Sequence, residues 1–363
     1  MTLFLAGDVM TGRGIDQVLP EPSHPEIFER YMKSARGYVE LAETANGSIP
    51  PRVRFDYIWG DALAELDARA PARRIVNLET SVTTHSERWP KEINYRMHPR
   101  NVSCLQAAKF DCCTLANNHV LDWQVQGLHE TVATLTGAGI AVAGAGRNIA
   151  EAARPAILEL AGKTRLLVFS CGSPTSGIPE AWAATPSRPG VHFVPELSRA
   201  SARELAGRIS AEARAGDLVI LSIHWGRNWG YEIPAEQREF AHELIDAGGA
   251  HIVHGHSSHH PKGIEVYRGR LILYGCGDFL NDYEGIGKHE EFRSTLVLAY
   301  FVTLETSGTL AELTMVPFRI VRFQLKRAKG GDTAWLERTL AREGKQLGTH
   351  VELSNEGALT LRW

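Results

Sequence analysis

No stretch of this chain approaches about eighteen uninterrupted apolar residues, the length a membrane-spanning helix needs. The opening "MTLFLAGDVM" is also too short an apolar run for a secretory leader. These shortages predict a cytoplasmic protein without a membrane anchor. Cysteine is sparse: Cys104, Cys112, Cys113, Cys171 and Cys276 form an odd set with no CxxC spacing. That speaks against a disulfide framework or a zinc ribbon, and for buried free thiols in a reducing compartment. An excess of one charge is missing too, and a formal net charge of −3 offers no electrostatic grip on nucleic acid. Neither a GxSxG elbow nor a GxGxxG fingerprint occurs. The Gly-rich stretch 137–148 joins a helix to a strand, the wrong order for a dinucleotide site, and no cysteine stands out as a nucleophile.

What is present is ordinary globular material. The chain has 363 residues, 44% of them hydrophobic and 22% charged, which supports a substantial core in one large domain or two small ones. Short apolar runs at 3–6, 74–79, 112–116, 165–171, 218–223, 250–254 and 271–275 read as buried strands. Helical patterns lie between several of them, and those at 126–139 and 236–249 stop at glycine. Strands alternating with helices predict an α/β layered fold. The stretches 294–305 and 310–325 follow each other without a helix and predict an antiparallel ribbon closing a sheet. Residues 1–328 thus read as the main domain. After a Lys-Gly-Gly-Asp break, 329–363 read as a helix and polar tail packed onto it as an appendage. Residues 20–51, rich in Pro, Glu and Ser, read as an insertion after the first strand, placed to lid a site.

The chemistry gathers at the strand ends. Asp8, Asn77, Glu79, Asn117, Asn118, His119, Asp122 and His224 each follow or close a predicted strand. "HIVHGHSSHHP" then packs five of the fifteen histidines into residues 251–261, and "LILYGCGDFLND" delivers Asp278, Asn281 and Asp282. Ligands of open α/β sheets bind beyond the carboxyl ends of the strands, so this convergence points to one site. Carboxylate oxygen, amide oxygen and neutral imidazole suit divalent Mn, Fe or Zn. Two such cations could share Glu79 as a bridging carboxylate. For Arg13 in "GRG", two readings stand open: contact with an anion, or structural pairing. Asp122 either orients the His119 ring or caps a helix. His254 points either way and His251 reads as structural, while Asp278 and Asn281 brace the site or serve a turn. Trp225 and Trp229 wall a pocket or fill the core.

The ordered set "GDVM", "NLET", "ANNHVLDW", "HWG", "GHSSHHP" and "GRLILYGCGDFLND" resembles the CapA/PgsA-type capsule (poly-gamma-glutamate) synthesis proteins, from about Thr2 to Asn281. That resemblance implies a four-layer α/β/β/α sandwich like that of calcineurin-type metallophosphoesterases, holding one or two divalent ions. It also implies Asp8 as first-metal ligand, Glu79 in the bridging position and Asn118 as amide ligand, with His119 as proton donor. His224 and His256 would bind the second metal and His259 would close the first, with His260 as an acid or base nearby. Three departures leave the first metal short of ligands. Met10 stands where an Asp-x-His motif has histidine, "NLET" replaces a GDxxD context, and two serines separate His256 from His259. The leading expectation is a metal-dependent hydrolase of a phosphoester or amide in a small-molecule or peptide substrate, with His119, Asp122, His260 and Arg13 assisting. A metal-dependent peptide isomerase or epimerase is the alternative, because proton transfer does not require two metals. A non-catalytic accessory of polymer synthesis is the third.

Overall fold

Alternation along single strands builds the layers. In the computed structural model, which describes residues 1–363, Thr2–Val9 is buried along nearly its whole length. Its Phe4 and Ala6 face one way and its Leu3 and Leu5 the other, into two separate hydrophobic clusters. Such a strand is covered on both sides, as a near-continuous apolar run requires. Around it grows a ten-stranded sheet whose parallel part runs Thr2–Val9, Arg74–Leu78, Cys112–Thr114, Ala141–Ala143. On the other side of Thr2–Val9 lies the predicted antiparallel ribbon, Leu296–Leu304 with Leu310–Val321, in register Thr2↔Thr303.

A six-stranded sheet carries the other half. Its parallel centre is Arg165–Gly172, Leu218–His224, Ile252–His256 and Arg270–Leu273, with antiparallel strands Ala156–Glu159 and Ile264–Tyr267 at the two edges. Leu166, Val168, Leu218, Ile220 and Ile252 pack against Leu3, Leu5, Ile75 and Cys112 of the first sheet. The opposite face, with Phe169, Leu221 and Ile223, packs on the helices Arg199–Glu212 and Ala235–Asp246. Helices Ala62–Arg69, Ser103–Ala107 and Gln124–Gly137 cover the outer face of the first sheet. The result is the four-layer α/β/β/α sandwich. All five cysteines are buried and free. No helix is long and apolar enough to cross a membrane.

Residues 329–363 carry the expected helix and add two strands to the first sheet. After the helix Gly331–Gly344, the strands His350–Leu353 and Leu359–Arg362 form a hairpin that pairs with Leu310–Val321 and ends the ten-stranded sheet. Val351, Leu359 and Leu361 enter the core between the sheets, together with Leu336 and Leu340 of the helix. The tail reads as polar because only alternate residues of its short strands point inward.

Candidate metal centre

Both sheets end their parallel strands on the same side, and register sets the neighbours. Asp8 lies opposite Asn77 on one side and Asp278 on the other, while His224 lies opposite His256 across the second sheet. The two sheets then bring these pairs together. Asp8, His224 and His256 form one group of three whose ligand atoms all lie within 4.8 Å of one another, and Asp8, Glu79 and His259 form a second. The carboxylate common to both groups is Asp8, and Glu79, the bridging candidate of the sequence, belongs to the second. Asp8 is the residue that abuts the first sheet's neighbour strand and the histidine loop at once.

Each donor is braced. Asn77 Nδ2 donates to Asp8 Oδ1 (2.6 Å) and the Ser257 amide donates to Oδ2 (3.1 Å). Asn117 Nδ2 donates to Asn77 Oδ1 at 3.1 Å and to the Leu78 carbonyl at 2.8 Å. Asn118 Oδ1 lies 3.1 Å from His224 Nε2, which is itself 3.9 Å from Glu79 Oε1. The imidazoles of His224 and His256 meet Nδ1 to Nδ1 at 2.8 Å. Two neutral rings in that position share either a proton or a cation. Behind His256, its Nε2 meets Ser222 Oγ at 2.8 Å. His254 gives its Nε2 to the Ala6 carbonyl (2.9 Å) and braces the strands instead of joining the centre. His259 Nδ1 bonds Asp278 Oδ1 (2.9 Å), and Asn281 Nδ2 holds the other Asp278 oxygen (2.7 Å). A carboxylate behind an imidazole fixes its tautomer, and the far nitrogen of His259, Nε2, meets Asn228 Nδ2 at 3.0 Å.

The electrostatics fit a cation. Burial, then the charge of Asp278, lifts Asp8 to about 7. Burial and the nearby Asp8 raise Glu79 well above the carboxylate range, and Glu79 Oε2 is buried without a hydrogen-bond partner. Crowded dry carboxylates with an orphaned oxygen are stabilised by a bound divalent ion. Burial holds His224 and His256 well below their ordinary value, and so neutral, the form in which imidazole binds metal. Burial would lower His259 as well, but Asp278 and Asp8 carry it above its ordinary value. Oxygen and imidazole donors without sulfur make a set that fits a divalent cation.

His119 stands beside the centre, its Nε2 3.6 Å from Glu79 Oε1. Asp122 Oδ2 accepts from its Nδ1 at 2.6 Å, so of the two readings of Asp122 the orienting one has the geometry. Lys91, which nothing in the sequence pattern marks, lies 2.5 Å from Asp122 Oδ1 and also donates to the Asn118 carbonyl. Burial, against the pull of Asp122, lowers His119 to about 4.

Two residues expected to assist have side chains committed to other partners. Arg13 spends its guanidinium on Asp282, on Glu29 Oε1 (2.9 Å) and on Tyr38 OH (3.0 Å), all buried. Its structural-pairing reading is the one observed, and Glu29 and Tyr38 tie residues 20–51 to the strand ends. His260 turns its ring into an aromatic packet with Tyr231 and Phe292, centroids 4.6 and 4.4 Å away, and joins neither ligand group. In the bend that follows Ile252–His256, His259 takes the inward side, against Asp278, and His260 the outward one. Trp225 is core, packed on Phe240 and Tyr274, whereas Trp229 borders the cleft above His259.

The comparisons with known proteins agree on the lineage. Over 354 residues the chain is 49% identical to the "Probable polyglutamine synthesis accessory protein" of Mycobacterium tuberculosis, covering 97% of this chain and 93% of that one. It is 26% identical to the "PGA biosynthesis protein CapA" of Bacillus subtilis, over 76% of this chain and 62% of that one. Among solved structures, a 5'-nucleotidase precursor from Thermus thermophilus superposes with a TM-score of 0.44 at 13% identity, over 88% of this chain and 54% of that one, too distant to argue from. Residues 2–283 match the family described as "Bacterial capsule synthesis protein PGA_cap", and the chain belongs to that family.

Proposed function

We propose that the protein is a metal-dependent hydrolase acting on an amide or phosphoester bond, in the service of glutamate-polymer synthesis. The observation that carries this reading is the pair of ligand groups sharing Asp8. Asp8, Glu79, His224, His256 and His259, with the amide oxygen of Asn118, would hold one or two divalent ions. When bound, such an ion supplies Lewis acidity, polarising the substrate's oxygen and acidifying water. The protein's own part is positioning and proton movement. His119, with Nδ1 committed to Asp122, presents a bare Nε2 that takes a proton from the nucleophile and returns it to the leaving group. Asp122, backed by Lys91, stabilises the ring while it carries that proton. A reducing, cytoplasmic setting belongs to this reading and is supported by the five free buried thiols.

The test is elemental analysis of the purified protein, followed by assays on chromogenic phosphodiesters and glutamyl amides with Mn added. Bound transition metal that disappears in Asp8→Ala and His256→Ala, together with turnover on one substrate class, is expected. A protein that takes up no metal and cleaves neither class sinks the reading. The description of the mycobacterial relative as an accessory protein favours a second reading, a non-catalytic role in the synthesis assembly. Under that reading Asp8→Ala leaves polymer production in cells unchanged.

A further inference from the structure

Beside the centre lies a cleft of about 210 Å³ that meets it at His259, with Asn228 also in its lining. Rings make the walls: Tyr31 from residues 20–51, then Tyr95, Tyr283 and Trp229. Trp229 is stacked on His289 with centroids 4.3 Å apart, so its face is held in place. Arg13 also borders the cleft, but it faces two carboxylates, Asp282 and Glu29, which more than cancel its charge. The cation left over is Lys288, exposed at the rim without an ion pair, its Nζ 5.1 Å from the Tyr31 ring centroid.

Resting on the reading of the Asp8 centre as hydrolytic, we infer that this cleft holds the substrate's side group and selects a compact residue carrying one carboxylate, met by Lys288, over a phosphate dianion. A volume of about 210 Å³ takes one amino-acid-sized group. Phosphate is normally gripped by an unspent guanidinium fork or a cluster of amide donors. Here the guanidinium is spent, and the carboxylates beside it repel a second negative charge. One ammonium at the rim suits one carboxylate, and aromatic walls suit the methylene stem behind it.

Calorimetric titration of the full-length protein, once metal-loaded and once chelated, decides the matter with the N-acetyl amides of glutamate, glutamine and phosphoserine. Glutamate and glutamine share a shape and differ in charge. The expected result is glutamate bound about fivefold more tightly than glutamine, the scale of an exposed ion pair, with phosphoserine no better than glutamine. Lys288→Gln, a surface change that spares the fold, should bring glutamate down to the glutamine level and leave glutamine unmoved. Trp229→Ala should weaken both. Equal binding of the pair, preference for phosphoserine, indifference to Lys288→Gln, or no binding of any amide each overturns the inference. Glutamate selectivity that survives chelation while no hydrolysis occurs would sink the hydrolase reading alone.

Discussion

Asp122 shows how much one side chain can settle. It holds the His119 Nδ1, the Lys91 ammonium and, through Oδ2, the Tyr95 amide at 2.6 Å. In Asp122→Asn an amide donor can face Nδ1, reversing the tautomer and capping Nε2 with hydrogen. Turnover on any cleaved substrate should fall by about a hundredfold or more, with metal content unchanged by elemental analysis. A second residue-scale prediction lies away from the centre. Burial holds His192 down to about 4, so the folded protein refuses a proton that the unfolded chain takes at about 6.5. Its contribution to stability is full above pH ~6.5 and drains away as the pH falls toward 4, a loss of about 2 kcal/mol by pH ~4.5. Urea unfolding at pH ~7 and ~4.5 should show a smaller acid loss in His192→Gln than in the parent. At this scale the sequence is partly readable. The donors' types and their place at strand ends are visible. Lys91 is not, because it sits in a loop with no periodicity, and neither is the fate of Arg13, whose partners Glu29 and Asp282 are set by tertiary packing.

Between elements, close approach is the controlling quantity. Asp278–Leu280 runs parallel beside Thr2–Val9, and a Cβ added at Gly7 would collide with the Gly277 carbonyl oxygen. Gly7→Ala should therefore push Asp278 from Asp8 and cost on the order of tenfold in metal affinity, measured by competition with a chromogenic chelator. The C-terminal hairpin makes a different prediction. Leu361 is buried between the sheets, and Leu361→Ala should cost about 2–4 kcal/mol by chemical denaturation, far more than a change in an appended tail would. Strong periodic elements were legible from composition, such as the Leu218–His224 strand and the Ala235–Asp246 helix. The hairpin was not, since "HVEL" and "LTLR" are short and carry charges on the face turned away from the core. Nor was the sharing of Asp8, whose partners Glu79, His224, His256 and His259 come from both sheets and are brought together only by their packing.

For the molecule as a whole, the site and the fold are one thermodynamic system. The centre joins oxygen donors from one sheet to imidazoles from the other, so a cation bound there clamps the two layers. At a hundredfold excess over its dissociation constant, the ion should add about 2.7 kcal/mol to stability. Chelation should accordingly lower the melting temperature by several degrees in calorimetry, and Asp8→Asn should erase the difference. The central place of Thr2–Val9 has a consequence in the order of events during synthesis. This strand leaves the ribosome long before its neighbour Leu296–Leu304, which lies far along the chain. Until then its apolar edge stays open, which makes the nascent chain a natural client for holding chaperones and a poor candidate for folding piece by piece.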